Sequence, residues 1–181
     1  MFGFFNKKPK ELLVHDRVWI TETAKFNACL ELKKSNSETV FVAWFEETEN
    51  KLQSFFHQNG LEVQVHLADR LPQNLNEREL IFVEHHPLRT EEQGIADRFD
   101  KKEITVFSAL TEPIFLSFGG GRIVDLMVKM GAKEDEALEH SMISKSILRA
   151  QEKIASKYVI NSSAKSQGDW LLNAGIGGEE G

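Results

Sequence analysis

Glu84-His85-His86 places a carboxylate and two imidazoles side by side, directly after the apolar run Leu80 to Val83. Such a group can accept and deliver protons or begin a metal site, and the ends of strands in parallel sheets host such sites. Adjacent histidines point different ways in extended chain, however, and no third ligand follows at a fixed spacing. A structural role for Glu84, His85 and His86 therefore has precedence, and an enzyme with a new site there is the alternative. Glu139-His140-Ser141 pairs an imidazole with a hydroxyl, but reads better as His140 packing at a helix entrance with Ser141 as the cap. Gly119-Gly120-Gly121-Arg122 stands before a helical stripe, where it serves as an anion nest or, with greater weight, as a turn. The acidic pairs Glu46-Glu47 and Glu91-Glu92 read as solvated helix faces.

Composition narrows the class. The chain has 181 residues, 41% hydrophobic and 28% charged, enough for one domain with a substantial core. Its formal net charge of −6 argues against general nucleic-acid binding. A single cysteine, Cys29, excludes an internal disulfide, and its setting among Phe26, Leu30 and Leu32 reads as a small buried thiol. No apolar run approaches the roughly 20 residues that span a bilayer. The opening MFGFFNKKPK puts aromatics before lysines, the reverse of a secretory signal. Its phenylalanines are expected to pin the terminus on the fold rather than to touch a membrane. The expectation is a cytoplasmic protein.

The elements that must carry these groups follow from periodicity. Thr39 to Phe45 (TVFVAWF) has no polar face and reads as a strand covered on both sides. Val18 to Thr21 reads as a short strand before a helix capped by Thr21 or Thr23, with Phe26, Cys29 and Leu30 on one face. Thr48 is expected to cap a second helix, which ends at Asn59-Gly60. Leu61 to Leu67 alternates with period two, the pattern of a half-exposed strand near a sheet edge. Ala68 to Glu79 reads as a loop, Leu80 to Val83 and Ile104 to Leu110 as strands, and Leu88 to Phe99 as a polar helix between them. Alternating strands and helices predict an α/β fold: a three-layer, mostly parallel sheet of about five strands with helices on both faces. A helical extension follows, closed at Gly131 and resumed at Ser141. Ile143, Ile147, Ala150, Ile154 and Tyr158 form one stripe on this second helix. Residues 1–16 are expected to be an N-terminal segment, 17–118 the α/β domain, 119–160 the helical extension and 161–181 a flexible tail.

The run FGGGRIVDLMVKMGAKEDEALEHSMISKSILRAQEKI, Phe118 to Ile154, resembles SecA, the bacterial preprotein translocase motor, where the second RecA-like motor domain leads into the long scaffold helix. Phe118, Gly119, Arg122, Ile123, Met127, Gly131, Glu136, Glu139, His140, Met142, Ile147, Ala150 and Gln151 carry the match. Upstream, TETAKFNACLEL, ETVFVAWFEETENKLQSFFHQNGLEVQVHLAD and IFVEHH are more weakly similar and collinear, so the resemblance spans about Val18 to Tyr158. It implies a RecA-like fold and a link to protein export.

The motor's chemistry is missing from the residues given. No Gly-Lys-Ser/Thr phosphate grip and no DEAD-like acidic magnesium motif occurs. The family's arginine-rich helix corresponds to EEQGIADRFDK, in which Arg98 stands near two family arginines. Without a first motor domain to hold ATP, Arg98 is expected to have a surface or ion-pair role. The resulting reading is a degenerate, non-catalytic SecA-like interaction or regulatory protein with no cofactor and no metal. Its stripe of Ile143, Ile147, Ile154 and Tyr158 is expected to take a protein partner or a second copy. A nucleotide-binding regulator without ATPase activity is a further alternative.

Overall fold

Strand β2 (Val40–Ala43) sorts the core into two faces. Phe41 and Ala43 enter one apolar cluster with Leu30, Leu52, Phe56, Ile81 and Phe107. Val42 enters another with Leu80, Phe82, Ile95, Phe99 and Val106. Successive side chains of a strand point to opposite faces, so a strand without polar residues fits a sheet covered on both sides. The computed structural model describes residues 12–75, 77–157 and 163–176.

β1 (Leu13–Trp19), β3 (Val65–Leu67), β4 (Leu80–Phe82) and β5 (Glu103–Ala109) complete the sheet. Its order is β1-β5-β4-β2-β3, and every pairing is parallel. Phe41 lies opposite both Val65 and Ile81, so β2 is interior as its composition predicts. Helices α1 (Glu22–Ser35) and α2 (Glu46–Gln58) cover the first face, and α3 (Arg89–Arg98) covers the second. Helices α4 (Pro113–Leu116), α5 (Gly120–Lys129), α6 (Ser141–Lys157) and α7 (Gln167–Asn173) follow β5. A third cluster joins Val18, Phe45 and Leu110, all at or just beyond strand C-termini, to Ile114, Ile143, Ile147, Ile154, Trp170 and Leu171. The three-layer α/β sheet with a helical extension is thus the fold of this chain.

Several elements depart from the sequence reading. β1 begins at Leu13, five residues before Val18. Its ladder pairs it with β5, and its other edge carries an antiparallel bridge from Val18 to Leu138; Leu13, His15 and Arg17 are exposed, which hides the pattern an interior strand would show. β3 is an edge strand, as expected, but its ladder covers only Val65 to Leu67 because its partner β2 is short. Thr21 caps α1, accepting from the Ala24 N–H at 3.1 Å. Thr48 does not cap α2; that role passes to a carboxylate from another strand, described below. Ser141 does not cap α6 with its side chain either; His140 Nδ1 accepts the Met142 N–H at 3.1 Å. Gly119, at φ 87°, makes the turn before α5, and Gly131 at the same φ closes that helix, a conformation glycine adopts without penalty.

The C-terminal segment differs most. Ile143, Ile147 and Ile154 are buried against the chain's own strand ends, so they are not an open docking stripe. Tyr158 lies outside the described residues, as do the N-terminal phenylalanines. Within the stretch read as a flexible tail, α7 packs Trp170 and Leu171 into the same cluster. A run that looks polar on average holds two large apolar side chains on one helical face. Burying each is worth roughly 1.5–3 kcal/mol, enough to fold the chain back on itself.

Candidate functional site at the strand ends

Glu84, His85 and His86 leave the C-terminus of β4 and enter three separate networks. Glu84 Oε1 accepts the N–H groups of Trp44 and Phe45, each at 3.0 Å. Its Oε2 lies 2.7 Å from the Thr48 hydroxyl, which donates to it. Trp44 and Phe45 lead directly into α2 and Thr48 lies in its first turn; Phe45, the residue at the helix boundary, offers no side-chain cap of its own. Glu84 therefore caps α2 from the neighbouring strand, satisfying backbone donors that a helix start leaves open. Burial pushes its carboxyl up to about 7, against the opposing pull of Thr48 and Lys25.

His85 is enclosed completely. Its Nδ1 lies 2.8 Å from Glu92 and its Nε2 2.9 Å from Asp16, the latter close enough for an ion pair though off the hydrogen-bonding line. Burial alone would pull the imidazole down, but Glu92 and Asp16 raise it to about 10, so it is an imidazolium. Burial pushes Asp16 and Glu92 up; contact with His85 more than offsets this and holds both carboxyls below their ordinary values. Arg89 closes the far side, donating to Glu92 at 2.9 Å and to the Leu12 carbonyl at 2.7 Å.

His86 is the opposite case. Burial pulls it down to about 4, more than Glu92 raises it, so the ring is neutral. Its Nδ1 accepts the Leu88 N–H at 3.0 Å, and its ring packs against Trp44, Phe45 and Trp170.

A second ionic group lies beside Glu84. Lys25, on α1, has no solvent exposure and donates to the Val83 carbonyl and to Glu112 Oε1, each at 2.7 Å. Burial pulls Lys25 down, but the Glu112 carboxylate outweighs it and keeps the ammonium above its ordinary value. Glu112 Oε1 also accepts the Ala109 N–H at 2.8 Å. Cys29 is buried nearby, and desolvation pushes its thiol up to about 12, which suits an inert core residue.

Two glutamines from the C-terminal helices complete the arrangement. Gln151 on α6 donates to the His86 carbonyl at 2.9 Å, and Gln167 on α7 donates to the His85 carbonyl at 2.9 Å. Gln167 also accepts the Ile114 N–H at 2.9 Å. The ends of the central strands are thus occupied by the protein's own side chains. Chemically, His85 is charged and held on both nitrogens, His86 spends its acceptor on backbone, and Glu84 has both oxygens engaged. Among the described residues, no group of three or more His, Cys, Asp or Glu is placed to hold a metal ion.

Arg98 stands apart. It is exposed on α3, donates to the Ala68 carbonyl at 2.8 Å and stacks over Phe99 at 4.9 Å. It lines a surface groove of about 510 Å³ with Trp44, His86 and Trp170. Glu92, read as half of a solvated acidic face, is fully buried because it must meet His85 and Arg89. Asp16, Lys25, Glu112, Gln151 and Gln167 escaped the sequence reading as well. Lys25 carries a local signal, standing between Ala24 and Phe26, but Asp16 lies between His15 and Arg17 and Gln167 between Ser166 and Gly168, where nothing sets them apart.

Among the described residues, no helix is long and apolar enough to cross a membrane. No family model matches the chain. A stretch of 51 residues, 28% of this chain, is 49% identical to the protein translocase subunit SecA of Psychrobacter cryohalolentis and covers 6% of that protein. The same subunit of Psychrobacter sp. (strain PRwf-1) is 43% identical over 58 residues, 32% of this chain and 6% of its own. That of Chlorobium phaeobacteroides is 42% identical over 55 residues, 30% of this chain and 5% of its own. The chain therefore carries a SecA-related region of about 30% of its length, and the matches span about 6% of the length of the first two relatives.

Proposed function

We propose that this chain is a non-catalytic, SecA-related protein that acts in protein export by binding or regulation, in the cytoplasm. The link to export comes from the relatives, which are named as protein translocase subunits. The observation that carries the non-catalytic part is the closure of the strand ends by Gln151 and Gln167. In open α/β sheets that crevice is where ligands bind, and here it is filled by the bonds of Gln151 and Gln167 to the His86 and His85 carbonyls and by the pairing of His85 with Asp16 and Glu92. The absence of Gly-Lys-Ser/Thr from the residues given supports the same reading. Arg98, hydrogen-bonded to backbone and stacked on a ring, has a packing role rather than that of a motor finger. The partner is a protein or a second copy. With Ile143, Ile147 and Ile154 already covered, it meets some other surface of the chain.

Affinity capture of the tagged chain from its native cells, combined with its depletion, tests the assignment. Translocase components or unexported preproteins should co-elute, and depletion should slow the disappearance of preprotein precursors. Absence of any export component from the eluate, together with unchanged precursor kinetics, would remove export from the reading.

A further inference from the structure

We propose that Glu84 is a buried proton-binding site that controls how tightly the start of α2 is held against the end of β4. Four carboxylates meet in the strand-end cluster, those of Asp16, Glu84, Glu92 and Glu112, against three cations, Lys25, His85 and Arg89. Asp16 and Glu92 share His85, Arg89 adds to Glu92, and Glu112 takes Lys25. Glu84 is the carboxylate in excess. Its three hydrogen-bond partners are the Trp44 and Phe45 N–H groups and the Thr48 hydroxyl, none of them a cation.

An unpaired buried carboxylate is costly and is relieved by taking up a proton. The geometry says where the proton goes. Oε1 receives two backbone N–H groups, which cannot accept, so it stays an acceptor. Oε2 faces a hydroxyl at 2.7 Å, and a hydroxyl can reverse its role. Protonated Glu84 donates from Oε2 to Thr48; ionised Glu84 accepts from it. Glu112 is the competing site, because burial pushes its carboxyl up as well, against the pull of Lys25. Its Oε1 faces two donors, and among the described residues its Oε2 has no hydroxyl partner of the kind Thr48 gives Glu84.

The remaining charged neighbours bracket the site. Lys25 from α1, the Thr48 hydroxyl and the Phe45 N–H favour the anion, while Glu112 before α4 opposes it; the first turn of α2 also carries Glu46, Glu47 and Glu49. Cys29 stays a thiol, and His86 stays neutral. The balance leaves Glu84 at about 7, where a small change in pH changes its charge. Loss of the proton places an uncompensated charge under the first turn of α2 and behind Trp44 and Phe45, and it loosens that junction.

Infrared difference spectroscopy of the wild-type protein between about pH 6 and about pH 8, which takes such a site from about nine-tenths protonated to about nine-tenths ionised, reads the proton directly. A protonated-carboxyl band should disappear on alkalisation, and Glu84→Gln should lack it. In the same window the Trp44 and Phe45 amides, corrected for intrinsic exchange, should lose protection several-fold in wild type and not in Glu84→Gln. No such band in the wild type overturns the proposal without any variant. A band removed by Glu112→Gln and kept by Glu84→Gln moves the proton to the wrong residue and also overturns it. Unchanged amide protection across the titration removes the control of α2.

Discussion

Gln167, on the last helix, donates its side-chain N–H to the main-chain carbonyl of His85 at 2.9 Å, 82 residues back along the chain. The contact locks α7 onto the end of β4, and the same side chain accepts from Ile114. Removing it leaves two buried backbone groups without partners. Gln167→Ala should therefore cost about 1–3 kcal/mol, and Trp170→Ala, which empties a buried site, about 3–5 kcal/mol. Urea denaturation measures both. Wild-type stability in either variant would show that α7 does not hold the strand ends.

His85 holds two buried carboxylates, so its replacement should exceed the loss of one hydrogen bond. His85→Gln leaves Asp16 and Glu92 facing each other without their shared cation and should cost about 3–5 kcal/mol. The pH dependence has a definite sign. Asp16 and Glu92 are held below their ordinary values, so their contribution is present above the usual carboxylate range and is lost as pH falls through the depressed values. His85 is raised to about 10, so its contribution is complete below its ordinary 6.5 and is lost as pH rises through 10. Wild-type stability should decline toward both extremes, and His85→Gln should flatten the alkaline arm. An alkaline arm unchanged in the variant would contradict the imidazolium assignment.

How far the sequence revealed this arrangement depends on the residue. The seven-residue run around β2 declared a doubly covered strand because nothing in it could face water. The cluster at the strand ends was only half visible. Glu84, His85 and His86 stood out together, but Lys25, Glu92 and Gln151 sit on helices whose other polar residues are exposed or half-buried, and periodicity treats all of them alike. Only three-dimensional pairing separates Glu92 from its neighbour Glu91, which is half-buried. Trp170 was visible as apolar, but the polar stretch before it masked the helix that returns it to the core.

The stripe on α6 gives a sharp prediction. Ile147→Asp with Ile154→Asp puts two carboxylates into the cluster that contains Val18, Phe45 and Leu110. Burying unpaired charges there should prevent folding altogether, seen as loss of cooperative unfolding and of near-ultraviolet circular dichroism. A double variant with an intact fold and altered association would show instead that the stripe is a docking surface.

Arg98 predicts a small effect. Its side chain is exposed and, among the described residues, hydrogen-bonds to the Ala68 carbonyl. Arg98→Ala should shift stability by no more than about 1 kcal/mol. A loss of several kcal/mol by chemical denaturation would reveal a structural role that the Ala68 contact does not supply.

The proposal to be tested is that this chain, with its SecA-related region and filled strand ends, performs no chemistry of its own. Phosphate release from MgATP by the purified chain, compared with Arg98→Ala, tests it most directly. The account predicts no release above background for either protein. Steady release by the wild type that is abolished in Arg98→Ala would contradict it.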